Sequence, residues 1–274
     1  MAGPLEGEER RLVLNHAIAA ANNDGRLGLI LYTIPGFPST PDYLATLELL
    51  NESAAVSAIE TTIPVTAGFS EHANEVIRQA HIRAASCPQL ASIPRPSKPA
   101  ICVLYQSTSD TVGFESLLVS TLGQFEGLVL EWSEPEAARY TATARKHGVE
   151  LVQCVGPWMA PEVIQRVMKR CADEPLVYLM SAPMAGGKLF SSEELNECIV
   201  EAKKHRPMAK VAAGFGIRTG DDVRRLAEIE ALDAVIIGTA FIEAMGEGLG
   251  ATKALLGNVR PALNRYQKTG TDVE

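Results

Sequence analysis

Two neighbouring segments toward the C-terminal end of the chain repeat one local pattern. In Lys210-Val-Ala-Ala-Gly214-Phe215-Gly216-Ile217-Arg218-Thr219 a short apolar run meets a glycine pair and a helix begins at once, with Val223, Leu226, Ala227 and Ile229 at helical spacing. In Asp233-Ala-Val-Ile-Ile-Gly238-Thr239-Ala240 a strand again runs into glycine and a helix start. Two consecutive parallel strands ending in this way bring free backbone N–H groups and two positive helix ends to one place, which favours a phosphate. In (β/α)8 barrels a phosphate site often follows strands seven and eight. The same glycines would also serve two tight βα turns; the order of the units favours the phosphate.

The rest of the chain keeps the alternation. Strands are expected at 27–33, 56–60, 100–105, 127–131, 150–155 and 176–180, ahead of the two units above. Helices are expected between them, including one capped by Ser39 or Thr40, one from Ser70 to about Ala85, one from about Val112 to Leu122, one from Ser133 to Gly148 and one starting at Ser191 or Ser192. A further helix precedes the first strand, at about 5–22, and a last one runs from about Ala240 to Tyr266, interrupted near its glycines. Strict βα alternation implies a parallel sheet with right-handed crossovers. Eight such units in 274 residues match a closed barrel, typically about 250 residues long. An open doubly wound sheet would announce G-x-G-x-x-G after its first strand, where this chain has Pro35-Gly36-Phe37. The fold expected is α/β, a (β/α)8 TIM barrel with an extra N-terminal helix, as a single domain over 1–274.

Composition excludes several classes of function. The net charge of −8, with scattered Lys and Arg, argues against nucleic acid and against an anionic membrane surface. No apolar run reaches the roughly 18 residues needed to span a bilayer. The acidic N-terminus lacks the form of a signal peptide, and five cysteines without a Cys-x-x-Cys fit free thiols, so a cytoplasmic protein is expected. Cys102 and Cys154 read as strand residues.

In a barrel the site lies at the C-terminal ends of the strands. That filter selects Tyr32, Thr33, Glu60, Thr61, Tyr105, Glu131, Cys154, Tyr178 and Ser181. Glu60 is a carboxylate at an otherwise apolar mouth, where partial desolvation raises the pKa toward a value useful for proton transfer; a structural ion pair is the alternative. Tyr105 and Tyr178 either hold a flat substrate or are core tyrosines with satisfied hydroxyls. Glu131 reads as a rim charge. His16, His72, His81, His147 and His205 all read as residues of helices or their ends, which argues against a His-based metal site. Lys210 is expected at the bottom of its strand, which disfavours Schiff-base chemistry. No cofactor is called for.

With these residues laid out, the chain resembles the alpha subunit family of tryptophan synthase over nearly its whole length. The resemblance is carried by Ala213-Gly-Phe-Gly-Ile-Arg-Thr219, Ile237-Gly-Thr-Ala240, Glu60 followed by Pro64, Val103-Leu-Tyr105 and Val177-Tyr-Leu-Met-Ser181. That family cleaves indole-3-glycerol phosphate to indole and glyceraldehyde 3-phosphate in tryptophan biosynthesis. The resemblance implies that Glu60 is the general acid/base that protonates indole C3, with Tyr178 beside it. It implies an indole pocket of Leu31, Tyr105, Leu130 and Cys154. Phe215, Gly216, Gly238 and Thr239, with Gly186 or Gly187, would hold the phosphate.

Two loops depart from the family pattern. The family's Pro-Phe-Ser-Asp-Pro-Leu-Ala-Asp-Gly-Pro loop, whose second Asp bonds the indole N–H, is here Pro64-Val-Thr-Ala-Gly-Phe-Ser-Glu71-His72-Ala73. Direct register brings Glu71 to that second position; two inserted residues, suggested by Ala80-His-Ile-Arg83, would bring Ala73. The family's Gly-Val-Thr-Gly becomes Pro183-Met-Ala-Gly186-Gly187, without the threonine. Both loops face the family's beta subunit, so the resemblance implies that partner across an altered surface. Three readings follow: the lyase, with Glu71 replacing the lost Asp as a catalytic residue or working more slowly without it; an enzyme acting on another small phosphate ester, selected by the altered lid; or a non-catalytic protein that modulates a partner, against which the retained Glu60 argues.

Overall fold

Parallel strands held between a barrel interior and a coat of helices are buried on both faces, and a continuous apolar run is the sequence form of that burial. In the computed structural model, which describes residues 7–69, 71–87, 94–120, 125–130 and 134–265, these runs form nine strands. They are β1 (Gly28–Tyr32), β2 (Val56–Thr62), β3 (Ala100–Leu104), β4 (Gly127–Leu130), β5 (Glu150–Leu151), β6 (Gln153–Val155), β7 (Leu176–Met180), β8 (Lys210–Gly214) and β9 (Ala234–Ile237). All pair in parallel in the order β5-β4-β3-β2-β1-β9-β8-β7-β6. The two ends of that order are halves of one segment. Gln153–Val155 pairs with β7, Glu150–Leu151 pairs with β4, and the Val152 N–H donates to the Leu128 carbonyl between them. The ring closes through this segment, so the expected fifth strand is one strand split at Val152 and the fold is the expected barrel.

The helices are α1 (Gly7–Asn23), α2 (Thr40–Glu52), α3 (Glu75–Ala85), α4 (Gln106–Val112), α5 (Phe114–Ser120), α6 (Glu134–Lys146), α7 (Pro161–Arg170), α8 (Ser192–His205), α9 (Gly220–Ala227), α10 (Thr239–Glu247) and α11 (Leu249–Ala262). Ser39 caps α2, and Ser191 caps α8 in a reciprocal box with Glu194. Two expectations are corrected and a third is met. The helix after β2 starts at Glu75, because Asn74 is its cap and accepts from the Ile77 N–H at 3.0 Å; Ser70, expected there, lies outside the described residues, as do Glu131, Ser133 and Tyr266. The helix expected at 112–122 is two short helices, broken where Gly113 turns to φ 87°. The last helix divides at Gly248, with φ 109°, where an interruption was expected.

At the end of the barrel where β8 and β9 begin, the buried Asp233 carboxylate accepts from Lys203 Nζ at 2.8 Å, Lys210 Nζ at 2.9 Å and the Val211 N–H at 2.9 Å. Lys210 thus stands at the bottom of its strand, as expected. One carboxylate ties α8, β8 and the start of β9 together, at the end opposite the C-terminal strand ends. Asp233→Ala would leave two cations and a buried amide without their acceptor, and should lower the unfolding free energy by about 3 kcal/mol in urea denaturation.

Candidate functional site

A cavity of about 560 Å³ opens at the C-terminal ends of the strands, a size suited to a small organic ligand. Its inner wall is apolar, with Val103, Val129, Leu130, Val152 and Ile236. Into that wall β2 sets Glu60, whose residue is only 4% exposed. Parallel pairing puts Tyr32 of β1 in register with Glu60. The Tyr32 hydroxyl lies 2.8 Å from His81 Nε2, on α3. The Val65 N–H donates to His81 Nδ1 at 3.2 Å, so the ring proton sits on Nε2 and points to Tyr32. Burial pushes the His81 pKa down to about 4, which keeps the ring neutral. His81, Phe69 and Tyr105 pack edge to face with centroids 5.0–5.7 Å apart, and of the three Tyr105 lines the cavity with the others packed behind it.

The other end of the cavity is built from backbone. Phe215 and Gly216 follow β8 with φ 72° and 74°, two successive left-handed residues. Successive residues in such turns aim their N–H groups into a concavity suited to an anion. A Cβ on Gly216 would stand 2.6 Å from the Gly187 carbonyl oxygen, so only glycine fits. A Cβ on Gly214 would collide with the Tyr178 hydroxyl, so this glycine makes room for the tyrosine. Ser181 fixes the turn by donating to the Gly214 and Phe215 carbonyls, with O–O distances of 2.6 and 2.7 Å. Beside it α10 starts at Thr239 after Gly238 with no side-chain cap, so its first amides face the cavity mouth. One expectation changes here. The start of α9 does not contribute its dipole end, because the Asp222 carboxylate accepts from the Arg218 and Thr219 N–H groups while Thr219 Oγ1 accepts from Asp222 N. The cup is made by the Phe215–Gly216 turn and by α10.

Two loops cover the site and are joined to each other. The Ala185 N–H donates to the His72 carbonyl at 3.0 Å, and His72 Nδ1 donates to the Pro183 carbonyl at 3.1 Å. Asn74 Nδ2 donates to the Ala185 carbonyl and to Thr239 Oγ1, each at 3.1 Å. Gly186 has φ 71°, and a Cβ there would lie 2.9 Å from Asn74 Nδ2. The asparagine side chain occupies the space that a side chain on residue 186 would need.

Of the residues singled out from the sequence, Glu60, Glu71, Tyr178, Tyr105, Leu130, Cys154, Gly186, Phe215, Gly216, Gly238 and Thr239 line this one cavity. Leu31 does not: it is buried in the core, and Tyr32 lines the cavity in its place, because successive strand residues face opposite sides. Gly187 stands behind the cup, with its carbonyl against Gly216. Glu71 is exposed at the mouth. His72, read from the sequence as helical, lies in the loop between β2 and α3 and lines the cavity; the late start of α3 explains the difference. Asn74 and His81 were not singled out. Their signals, a helix-capping residue and a histidine on the apolar side of α3, become informative only once that helix is correctly placed.

The family model described as tryptophan synthase alpha chain matches residues 18–268. The tryptophan synthase alpha chain of Arabidopsis thaliana is 26% identical over 243 residues, covering 85% of this chain and 87% of that protein. That of Synechococcus sp. strain CC9902 is 27% identical over 248 residues, with coverage of 85% and 89%. Among solved structures, Mycobacterium tuberculosis tryptophan synthase superposes with a TM-score of 0.76 at 22% identity, covering 92% of this chain and 98% of that chain. A chain of the tryptophan synthase complex from Pyrococcus furiosus gives 0.68 at 22% identity, with coverage of 87% and 98%. At such identities the structures attest the fold.

Two outcomes are expected of this geometry. Folded His81 titrates near 4 and an unfolded histidine near 6.5, so between those values the unfolded chain binds more protons and stability rises with pH. Acidifying from 6.5 to 4 should cost on the order of 3 kcal/mol through this residue, and the steepness of stability against pH should fall in His81→Asn. Saturating glycerol 3-phosphate should raise the melting temperature by about 5 °C or more, and Gly216→Ala should abolish that rise.

Proposed function

Because this chain belongs to the tryptophan synthase alpha chain family, we propose that it cleaves indole-3-glycerol phosphate to indole and glyceraldehyde 3-phosphate. The observation that carries the reading is Glu60, a buried carboxyl group in an apolar wall, facing the same cavity as a cup of backbone amides. An aromatic ring among Val103, Tyr105, Leu130 and Cys154 would put its attached chain toward Phe215, Gly216 and Thr239, which receive the phosphate. Glu60 then protonates the ring carbon that bears the chain. The ring becomes cationic, and the carboxylate left behind stabilises that charge in a site with little water. The carbon–carbon bond breaks, its electron pair returns to the ring, and loss of the hydroxyl proton on the departing carbon gives the aldehyde. What the protein must move is protons, one onto the ring carbon and one off the hydroxyl, which side chains can do. Tyr178, tilted against Phe215 with centroids 5.7 Å apart, holds the passage between ring pocket and cup.

The family and the position of the loops after β2 and β7 support a beta-type subunit as partner on that face, and the free cysteines support a cytoplasmic setting. Among the described residues no helix is long and apolar enough to cross a membrane. A second reading, another aryl phosphate ester, draws support from the extension of the cavity to Trp158, Met159 and Val167. Stabilisation by other aryl phosphates but not by indole analogues would favour it.

The lyase reading is tested with purified protein and indole-3-glycerol phosphate. Indole should be released, and Glu60→Gln should lower kcat by about 10²–10⁴-fold with KM little changed. Absence of indole, with or without a beta subunit, removes the reading.

A further inference from the structure

We infer that His72, in the loop between β2 and α3, is the base that takes the hydroxyl proton during the cleavage; the inference rests on the lyase reading above. A carbonyl oxygen can only accept, so the 3.1 Å contact between His72 Nδ1 and the Pro183 carbonyl requires the proton on Nδ1. In the neutral ring Nε2 is then the lone-pair acceptor, the tautomer a proton-abstracting histidine needs. The residue is held at three points, one through its backbone and two through its ring. Its own carbonyl accepts from the Ala185 N–H at 3.0 Å, Nδ1 is tied to Pro183, and its face stacks on Phe215 with centroids 6.2 Å apart and planes at 29°. Among the described residues Nε2 has no other partner.

Position assigns the role. Phe215 opens the anion turn, so a ring stacked on it stands beside the hydroxyl-bearing chain rather than in the apolar wall where Glu60 lies. Glu71, the neighbouring candidate, is exposed, and among the described residues no hydrogen bond orients its carboxylate. The step balances: a C–H bond forms at the ring carbon with the Glu60 proton, the carbon–carbon pair returns to the ring, and the O–H bond breaks toward His72 Nε2 as C=O forms. Nothing is oxidised or reduced. Glu60 ends as carboxylate and His72 as imidazolium, and exchange with water restores both.

The test is steady-state cleavage by wild type, His72→Ala, His72→Asn and Glu71→Gln. The amide of His72→Asn can still donate to Pro183 and so preserves the loop while removing the base. Both His72 variants should lose about 10²-fold or more in kcat with KM little changed, and added imidazole should restore part of the rate to His72→Ala but none to His72→Asn. A kcat near wild type in either variant, no imidazole rescue, or a larger loss in Glu71→Gln than in His72→Ala would overturn the assignment while the lyase reading stands. No indole from wild type would overturn both.

Discussion

Burial of every strand on both faces governs this molecule. A parallel sheet wrapped by helices leaves no wet face, so a polar side chain persists in it only where a strand ends or where partners receive it. Asp233 shows the second case at the end where β8 and β9 begin, with two lysines and an amide gathered on one carboxylate. Glu60 and Tyr32 show the first, at adjacent strand ends facing one cavity. A carboxyl group tied to cations and a carboxyl group facing a cavity thus sit at opposite ends of one barrel.

The cavity divides by chemistry as well as by place. One end is made of side chains, mostly apolar or aromatic, with the Glu60 carboxyl group set among them. The other is made of main chain, where a turn can offer N–H groups without bringing a charge. A neutral, buried His81 supports the first end from behind: its proton on Nε2 holds the Tyr32 hydroxyl, and its ring packs against Tyr105.

Much of this was legible in the sequence because it rests on local rules. Strand–glycine–helix units, continuous apolar runs and the placement of Glu60 follow from periodicity and turn chemistry. What escaped depends on distances along the chain that local rules do not measure. A strand has parity: the strand-end filter picks Tyr32, which lines the cavity, while Leu31, which the resemblance supplies, lies one position away on the other side. The start of α3 was misplaced because Ser70 and Asn74 are both good caps; the loop between them carries His72, which therefore read as helical. The α9 dipole was counted toward the phosphate because nothing in a glycine pattern reveals that Asp222 folds back on the same amides.

The absence of a side chain at residue 186 has a mechanical result. Asn74 fills that space and reaches past it to Thr239, so the segment after β2, the segment after β7 and the first residue of α10 are fastened by the same amide group. Neither loop can swing out alone without breaking bonds that hold the other, and the His72 contacts with Pro183 and Ala185 add to that tie. Opening at this mouth is therefore a joint movement of both loops, and one asparagine carries it on to the start of α10.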